Sequence, residues 1–419
     1  MQVIPVIRGA RDLLPADLAR WHFAERAAAR CFAAYDYGEI RTPILERAEL
    51  FARQLGEHTE LVEKQMYLFA DGKNEMLALR PEATVPTVRA VLQSGLHRAL
   101  PARLWYAGPM FRRERPQKGR YRQFWQIGAE ILGAAEPAAD AEQIMMTARL
   151  WRELGIGDKL RLTINNLGNG EERARHREKL RAYFHKRRDE MGEDAARAET
   201  NPLRLLESRD VKTAAVAKDA PQLAAELGDE SRRHLDAVKN TISRAGIKFD
   251  EDGALVRGLD YYNLTVFEWS IGGDERRQNA VCGGGRYDGL AQQIGGGASM
   301  PGCGFALGLD RVADIIGAQP SASADCFVAF GDGGEDESKL ADIVCEQCRD
   351  MGLSVRRHIG GGNLARQLKK ANAIGARAVL IIGAREMAAG CITIKIMASG
   401  EQTSIAAAQA AAHVHKVLG

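Results

Sequence analysis

Two hydrophobic periods run along this chain, and where one gives way to the other its elements can be told apart. Over residues 17–35 Leu18, Trp21, Ala24 and Ala28 recur at helical spacing, which predicts an amphipathic helix. Gly38 breaks it, 40–42 reads as extended, and Pro43 removes a ladder donor, as suits a sheet edge or an interface. Segments 66–69 and 76–80 predict a hairpin around the turn Asp71, Gly72, Lys73 and Asn74. Pro81 then suits a first helical turn, with helix over 84–92 and Glu82 placed where the positive dipole end favours an acid. Two longer apolar runs, 104–111 and 124–132, flank an arginine-rich segment containing Pro116 and Gly119. They predict an antiparallel hairpin with a long basic tip.

Side chains alternate across a strand, so Gln126, Gly128 and Glu130 share one face of the second run, while Trp125, Ile127, Ala129 and Ile131 share the other. The polar face fits either a solvated sheet surface or a site for a small charged ligand. Arg112, closing the first run, brings a cation toward the same amide and carboxylate and favours the site.

Beyond the hairpin, 139–154 reads as helix and 160–165 as strand. Residues 168–253 are charged, alanine-rich and helically spaced, which predicts a helical insertion. Its basic run, 173–188, is a solvated helix face or an RNA contact. Strand signals return after residue 254, with a strand over 265–269, glycine clusters at 282–290 and 295–297, a short strand at 305–307 and a helix from Leu309 that carries Arg311. Glycines there let a flat ligand approach the backbone, whereas a dinucleotide loop would need a βαβ unit that does not follow. Residues 317–325 form a linker by composition. After it come strand 326–330, helix 335–351, strand 353–357, helix 364–374, strands 378–382 and 392–397, and helix 405–417, a compact α/β domain. His358, Ile359, Gly360 and Gly361 faintly match a class I synthetase signature, but they lie in the last domain without a lysine-rich partner motif.

Composition narrows the picture further. With 419 residues the chain has room for about two or three domains, and 58 Lys+Arg against 55 Asp+Glu leave only +3, so any nucleic-acid surface must be local. Seven cysteines, an odd number spread thinly, fit reduced thiols and a cytoplasmic setting. Cys345 and Cys348 form a C-x-x-C within a predicted helix, without the second pair or spaced histidines a metal would need. No signal-peptide core opens the chain and no apolar run reaches membrane-span length, so no membrane partner is expected.

The motifs resemble a known family. The segment at Pro43, FRRE at 111–114 and GCGFALGLDR at 302–311 look like the three motifs of class II aminoacyl-tRNA synthetases. LVRGLDYY at 255–262 and CGGGRYDGL at 282–290 look like signatures of the histidyl-tRNA synthetases, and RPEAT at 80–84 and PQKGRYRQFWQIGAE at 116–130 match that family too. The resemblance implies an α+β fold: a class II antiparallel sheet flanked by helices over 1–320, a helical insertion at about 168–253, and a C-terminal α/β anticodon-binding domain over 325–419. It implies a homodimer built through the first motif. It also implies activation of L-histidine by ATP to histidyl-adenylate and pyrophosphate, then transfer to the 3′ end of tRNA(His).

By the same resemblance Arg257 and Arg112 are the catalytic cations. Glu82, Ala83, Thr84, Gln126, Glu130, Arg257, Tyr261 and Tyr262 contact histidine, and Arg112, Glu114 and Arg311 contact ATP, whose β/γ-phosphates carry Mg2+. Arginine suits phosphoryl transfer because it stays charged and offers a planar fork of donors. Arg115 and Gln117 approach the acceptor end, with Arg113, Lys118, Arg120 and Arg122 making the tip basic. Trp125 stands where the family pattern has histidine, on the face away from Gln126 and Glu130, which implies packing. A catalytically silent, synthetase-like regulatory subunit of histidine biosynthesis is the alternative, but such paralogues lose the arginines and the C-terminal domain that this chain keeps. A general RNA-binding scaffold would leave Glu82, Gln126 and Glu130 unexplained.

Overall fold

The β-rich hairpin strands Ala102–Phe111 and Gln123–Leu132 pair antiparallel along their whole length, from Ala102 opposite Leu132 to Phe111 opposite Gln123. Around them, in the computed structural model, an eight-stranded sheet forms in the order Gly38–Glu39, Ala102–Phe111, Gln123–Leu132, Gly302–Gly308, Ala280–Arg286, Asn263–Ile271, Leu160–Asn166, Asp250–Glu251. The six inner strands are antiparallel and the two short edge strands parallel to their neighbours. The structure describes residues 3–419 except 53–64, 73, 118, 201, 209, 273–278, 296, 298, 320–323, 332–333 and 361–362, and leaves aside the side chains of 193, 197, 200, 204 and 207. Parts of six expected features therefore lie outside the described residues: Lys73 of the first turn, Lys118 of the basic tip, Asn201 and Arg209 of the insertion, Gly296 of the second glycine cluster, the middle of the linker, and Gly361 of the class I-like stretch.

Alternation decides the layers. Ile127, Ala129 and Ile131 face the helices Pro15–Ala34 and Pro137–Glu153 in the main core, with Trp21, Phe32, Leu150 and Trp151. Leu132 points the other way, into a second core with Val85, Val88, Val91, Tyr261, Tyr262 and Tyr287. That second layer is built from the helix Thr84–Ser94 and a three-stranded sheet of Leu45–Arg47, Met76–Leu79 and Tyr67–Ala70. The face holding Glu130 is thus roofed rather than solvated, and Glu130 itself is wholly buried.

Ala280–Arg286 forms a strand that its sequence hides, because Gly283, Gly284 and Gly285 carry little β-propensity. Glycine is required by closeness to the neighbours: a Cβ on Gly284 would overlap the Gly304 carbonyl and crowd Phe305. The stretch 168–253 holds two packings. Leu180, Phe184, Met191, Leu205 and Val216 make a small core of their own, whereas Val238 and Ile242 of the helix Asp229–Arg244 join the main core.

The chain divides into two compact units, Met1–Ala318 and Gln319–Gly419. The second is α/β, with a five-stranded sheet in the order Val355–Arg357, Cys326–Phe330, Ala378–Ile382, Cys391–Ile396, Gln402–Ala406, the first three parallel and the rest antiparallel. One expectation is corrected. The helix expected over 405–417 begins at Ala410, and Gln402–Ala406 is instead the fifth strand, where Thr403, Ser404 and Ile405 favour extended backbone. Cys345 and Cys348 are buried free thiols on the helix Glu335–Asp350, and the thiols of Cys326 and Cys348 share a hydrogen bond. Among the described residues no group of three metal-ligating side chains forms.

A buried ion pair pins the sheet to the helix Pro137–Glu153. The Arg286 guanidinium, wholly buried, donates from Nε to Asp140 Oδ2 at 3.1 Å, and from Nη1 to the Ala134 carbonyl at 2.8 Å and Asp288 Oδ1 at 3.0 Å. Arg286→Ala would leave the buried Asp140 carboxylate with His234 Nε2, at 3.3 Å, as its remaining side-chain partner. It is expected to cost about 3–5 kcal/mol, read as a lowered urea midpoint with unchanged m; a loss below 1 kcal/mol would show that Asp140 is compensated otherwise.

Candidate active site

Glu130 is wholly buried on the roofed face of the sheet. Thr84 Oγ1 donates to its Oε1 at 2.6 Å, Tyr106 OH to the same oxygen at 3.2 Å, and Tyr287 OH to Oε2 at 2.5 Å. Two glycines make room. A Cβ on Gly304, directly opposite Glu130 in the ladder, would overlap Glu130 Oε2, and one on Gly128 would overlap the Tyr106 hydroxyl. Burial pushes the Glu130 carboxyl up to about 8; the hydroxyls of Thr84 and Tyr287 pull it down and the nearby Glu82 charge pushes it up. Tyr261 and Tyr262, their rings 4.6 Å apart, close the pocket beside Tyr287.

Glu82 does its work at the helix start. Its Oε2 accepts from the Thr84 N–H at 2.8 Å and its Oε1 from the Val85 N–H at 3.0 Å, capping Thr84–Ser94. Burial raises its carboxyl, and the cap and the Arg112 charge oppose that. Ala83 is the buried N-cap residue between the two site carboxylates' supports. Gln126 sits opposite Gly108 and Gly308, and its Oε1 is buried without a hydrogen-bond partner, an acceptor set into a polar pocket.

Three arginines from distant segments surround this floor. Arg112 donates from Nε to the Pro81 carbonyl at 2.9 Å and lies 5.2 Å from the Phe124 ring centroid. Arg257 donates from Nη1 to Glu268 Oε2 at 2.7 Å, its buried Nε has no partner, and its guanidinium covers the space that a side chain on Gly283 would need. Arg311 donates from Nε to the Gly119 carbonyl at 3.2 Å and from Nη1 to that of Ala280. Their fields overlap. Burial lowers Arg311, and the charges of Arg120 and Arg112 add to the lowering while Glu114 and Glu268 oppose it. The Tyr261 hydroxyl is within electrostatic reach of both Arg112 and Arg257. Such convergence of like charge disfavours the empty site and favours a polyanion.

The basic tip meets the site through Gly119, whose carbonyl accepts from Arg311. Arg115 and Gln117 are exposed, and Gln117 and Arg120 exchange backbone hydrogen bonds. Glu114 pairs with Arg120 at 3.3 Å. Trp125 packs edge-on against Trp21, with ring centroids 5.4 Å apart, on the face away from Glu130.

Sequence reasoning missed four participants. Tyr106 and Tyr287 supply two of the three hydroxyls on Glu130, Glu268 holds Arg257, and buried Arg80 ties the 80–84 segment to the Pro109 carbonyl at 3.0 Å and to Thr42 at 2.9 Å. Tyr106 was detectable: it lies at the non-glycine position opposite Gly128, two strand residues from Leu104, which faces Glu130.

A mostly antiparallel sheet whose roofed face carries a buried acid among convergent arginines, with a separate α/β unit after it, is the class II aminoacyl-tRNA synthetase arrangement. The family model described as histidyl-tRNA synthetase matches residues 9–312, and the one described as anticodon binding domain matches 325–416. The chain is 48% identical over 402 residues to the histidine–tRNA ligase of Halorhodospira halophila, covering 94% of this chain and 93% of that protein. It is 46% identical over 416 residues to the histidine–tRNA ligase of Nitrosomonas europaea, covering 98% of each. The crystal structure of apo histidyl-tRNA synthetase from S. aureus superposes with a TM-score of 0.83 at 31% identity, covering 99% of this chain and 100% of that one. The chain belongs to the histidyl-tRNA synthetase family.

Glu130 carries a pH signature. Burial pushes its carboxyl up to about 8 in the fold, against about 4.5 when free, so between those values the folded state keeps a proton that the unfolded state has lost. Its share of stability is whole below the lower value and lost as pH rises through the upper one. Between pH 5 and pH 8 the unfolding free energy should therefore fall by on the order of 3 kcal/mol more in the wild type than in Glu130→Gln. Parallel urea titrations at these pH values check it, and identical slopes would refute the elevated carboxyl.

Proposed function

We propose that the chain is a histidine–tRNA ligase, in which the pocket over Glu130 holds the imidazole of L-histidine and the arginines around it hold ATP. The observation that carries the reading is a buried carboxyl caged by Thr84, Tyr106 and Tyr287 beside an unpartnered amide oxygen on Gln126. An imidazole titrates at about 6.5 and so meets Glu130 with one proton shared between them, as acid with base or as an ion pair. The substrate ammonium supplies the donor that Gln126 Oε1 lacks. Tyr261 and Tyr262 line the ring, and Glu82, Ala83 and Thr84 set the pocket's edge at the helix start.

In the first step a carboxylate oxygen of histidine attacks the α-phosphorus of ATP and pyrophosphate leaves. Negative charge grows on the non-bridging oxygens, and preplaced cations stabilise it. Arg112 and Arg257 act at the α-phosphate and Arg311 at the γ-phosphate; to do so Arg257 exchanges its bond to Glu268 for phosphate oxygens. Mg2+ would neutralise β/γ-phosphate charge, held chiefly by the phosphates with Glu114 and Glu268 as the nearby carboxylates, since two acids suit a phosphate-borne ion rather than a protein cage. In the second step a hydroxyl of the tRNA 3′ end attacks the histidyl carbonyl carbon and AMP leaves. Exposed Arg115 and Gln117 on the tip meet the acceptor end of tRNA(His).

The small sheet of the second layer leaves Leu45, Leu68, Phe69 and Met76 exposed, with Ile44 beside it, an apolar surface that supports a homodimer through the Pro43 segment. All seven cysteines are free, in keeping with a cytoplasmic site, and among the described residues no helix is long and apolar enough to cross a membrane. The regulatory-subunit reading has no observation in its favour, since both the arginines and the anticodon binding match are present.

Histidine-dependent ATP–pyrophosphate exchange tests the assignment, and folded protein without exchange would refute it. Arg257→Ala is expected to lower exchange by about 10²–10³ while histidine affinity changes by about threefold or less; equal losses would make Arg257 a binding residue only. Arg115→Ala should lower aminoacylation by about tenfold and leave exchange within about twofold; equal losses in both assays would remove it from the acceptor-end role.

A further inference from the structure

The segment 7–12 lies outside the sheet, yet it is bonded to two parts of the site that are far from it in sequence. Its turn is closed by the Ala10 N–H on the Ile7 carbonyl at 3.1 Å. The Gly9 carbonyl then accepts from the Arg122 N–H at 2.6 Å, while the Arg122 carbonyl accepts from the Arg112 N–H at 2.9 Å. The segment thus continues the hairpin's hydrogen bonding at the base of the basic tip. Only glycine fits at position 9. A Cβ there would lie 2.8 Å from Pro116 Cγ and 2.9 Å from the Arg122 side chain, on a left-handed backbone with φ +91°.

Arg11 makes the second link. Its Nη2 donates to Asp310 Oδ1 at 2.8 Å, and its guanidinium lies 4.3 Å from the Tyr121 ring centroid. Asp310 Oδ2 accepts from the Trp125 N–H at 3.0 Å. One carboxylate therefore joins the segment, the strand Gln123–Leu132 and the start of the helix Leu309–Ile315. Its side chain is only 6% exposed, and the next residue is Arg311. Arg311 is held from the other side by the Gly119 carbonyl of the tip, at 3.2 Å. Burial pushes the Asp310 carboxyl up, and the Trp125 N–H and the Arg11 charge oppose that. Without Arg11 the carboxylate loses its cation, and the helix start loses a tie to the tip.

We propose that Arg11 is a positioning residue: through Asp310 and Tyr121 it holds Arg311 and the basic tip in register, so that one rigid frame meets both the phosphate end of ATP and the acceptor end of the tRNA. The parts played by ATP and tRNA rest on the ligase reading; the frame does not. Glu130 is supported from other elements, by Thr84, Tyr106 and Tyr287. A defect at Arg11 therefore falls on ATP and tRNA and spares histidine.

Two measurements test it. Arg11→Ala is expected to raise KM for ATP in histidine-dependent pyrophosphate exchange, and KM for tRNA in aminoacylation, by about tenfold each, with histidine affinity within about twofold. Arg11→Lys, which keeps a cation beside Asp310, should bring the ATP value back to within about threefold of wild type. Equal losses for ATP and histidine, misfolding included, would overturn the proposal and leave Arg11 a stability residue. A Lys variant no better than the Ala variant would overturn it too. Amide hydrogen exchange reads the frame without reference to the reaction: peptides covering 119–125 should exchange at least about tenfold faster in Arg11→Ala, with those of the helix Thr84–Ser94 unchanged. Unchanged protection at 119–125 would overturn the frame, whereas a wild type without pyrophosphate exchange would count against the ligase reading alone.

Discussion

Burying one carboxyl under a sheet dictates much of what surrounds it. Glu130 reaches complete burial because Gly304 and Gly128 leave space for it and for Tyr106, and because three hydroxyls meet its two oxygens. Each hydroxyl comes from a different element: the helix Thr84–Ser94, the strand Ala102–Phe111, and the turn after Ala280–Arg286. Without those partners a buried acid would be strongly destabilising. The pocket is thus bound up with the register of the strands that carry it, and a slip by one residue would turn Glu130 into the helix layer.

The arginines face the converse problem. Each is held by a partner that leaves part of its fork free or that can be exchanged: Arg112 by one carbonyl, Arg311 by two, Arg257 by Glu268. Backbone carbonyls orient a guanidinium without cancelling its charge, so Arg112 and Arg311 keep theirs. Glu268 does cancel charge, and it sits directly opposite Gly283, over which Arg257 lies. Arg257 is accordingly the one of the three whose position has an ionic alternative within the site.

Much of this was legible in the chain. The alternation in 123–132 separates the face of Ile127, Ala129 and Ile131 from that of Gly128 and Glu130, and the structure keeps that division. What periodicity could not supply was the partner of each polar group. Tyr287 follows a glycine-rich strand with weak β signal, and its hydroxyl meets Glu130 across 157 residues of sequence. Glu82 showed the reverse: its place before a helix already pointed to a cap, and both its oxygens are spent on backbone N–H groups. The strand Gln402–Ala406 was hidden by the alanines after it, whose helical spacing extends back through Ile405. In 168–253 charge and alanine content are uniform, so the boundary between the small core and the helix Asp229–Arg244, which packs on the sheet domain, is set by tertiary contact alone.

With the imidazole over Glu130 as proposed, selectivity would follow from the same buried acid. A neutral apolar side chain of similar size would cover the tyrosines but leave the Glu130 carboxyl without its ring partner. A site built around a buried polar group can reject such an analogue by about 10⁴–10⁵, far beyond what one methylene's difference provides. A cationic side chain does no better: a flexible ammonium would have to give up its water to meet a carboxyl that burial keeps protonated near neutrality. An imidazole alone is flat, able to give or take one proton near neutrality, and matched to a carboxyl whose own titration has been lifted by burial toward the same range. The feature that makes Glu130 unfavourable in the empty fold is therefore the one that makes it discriminating once a ring lies against it.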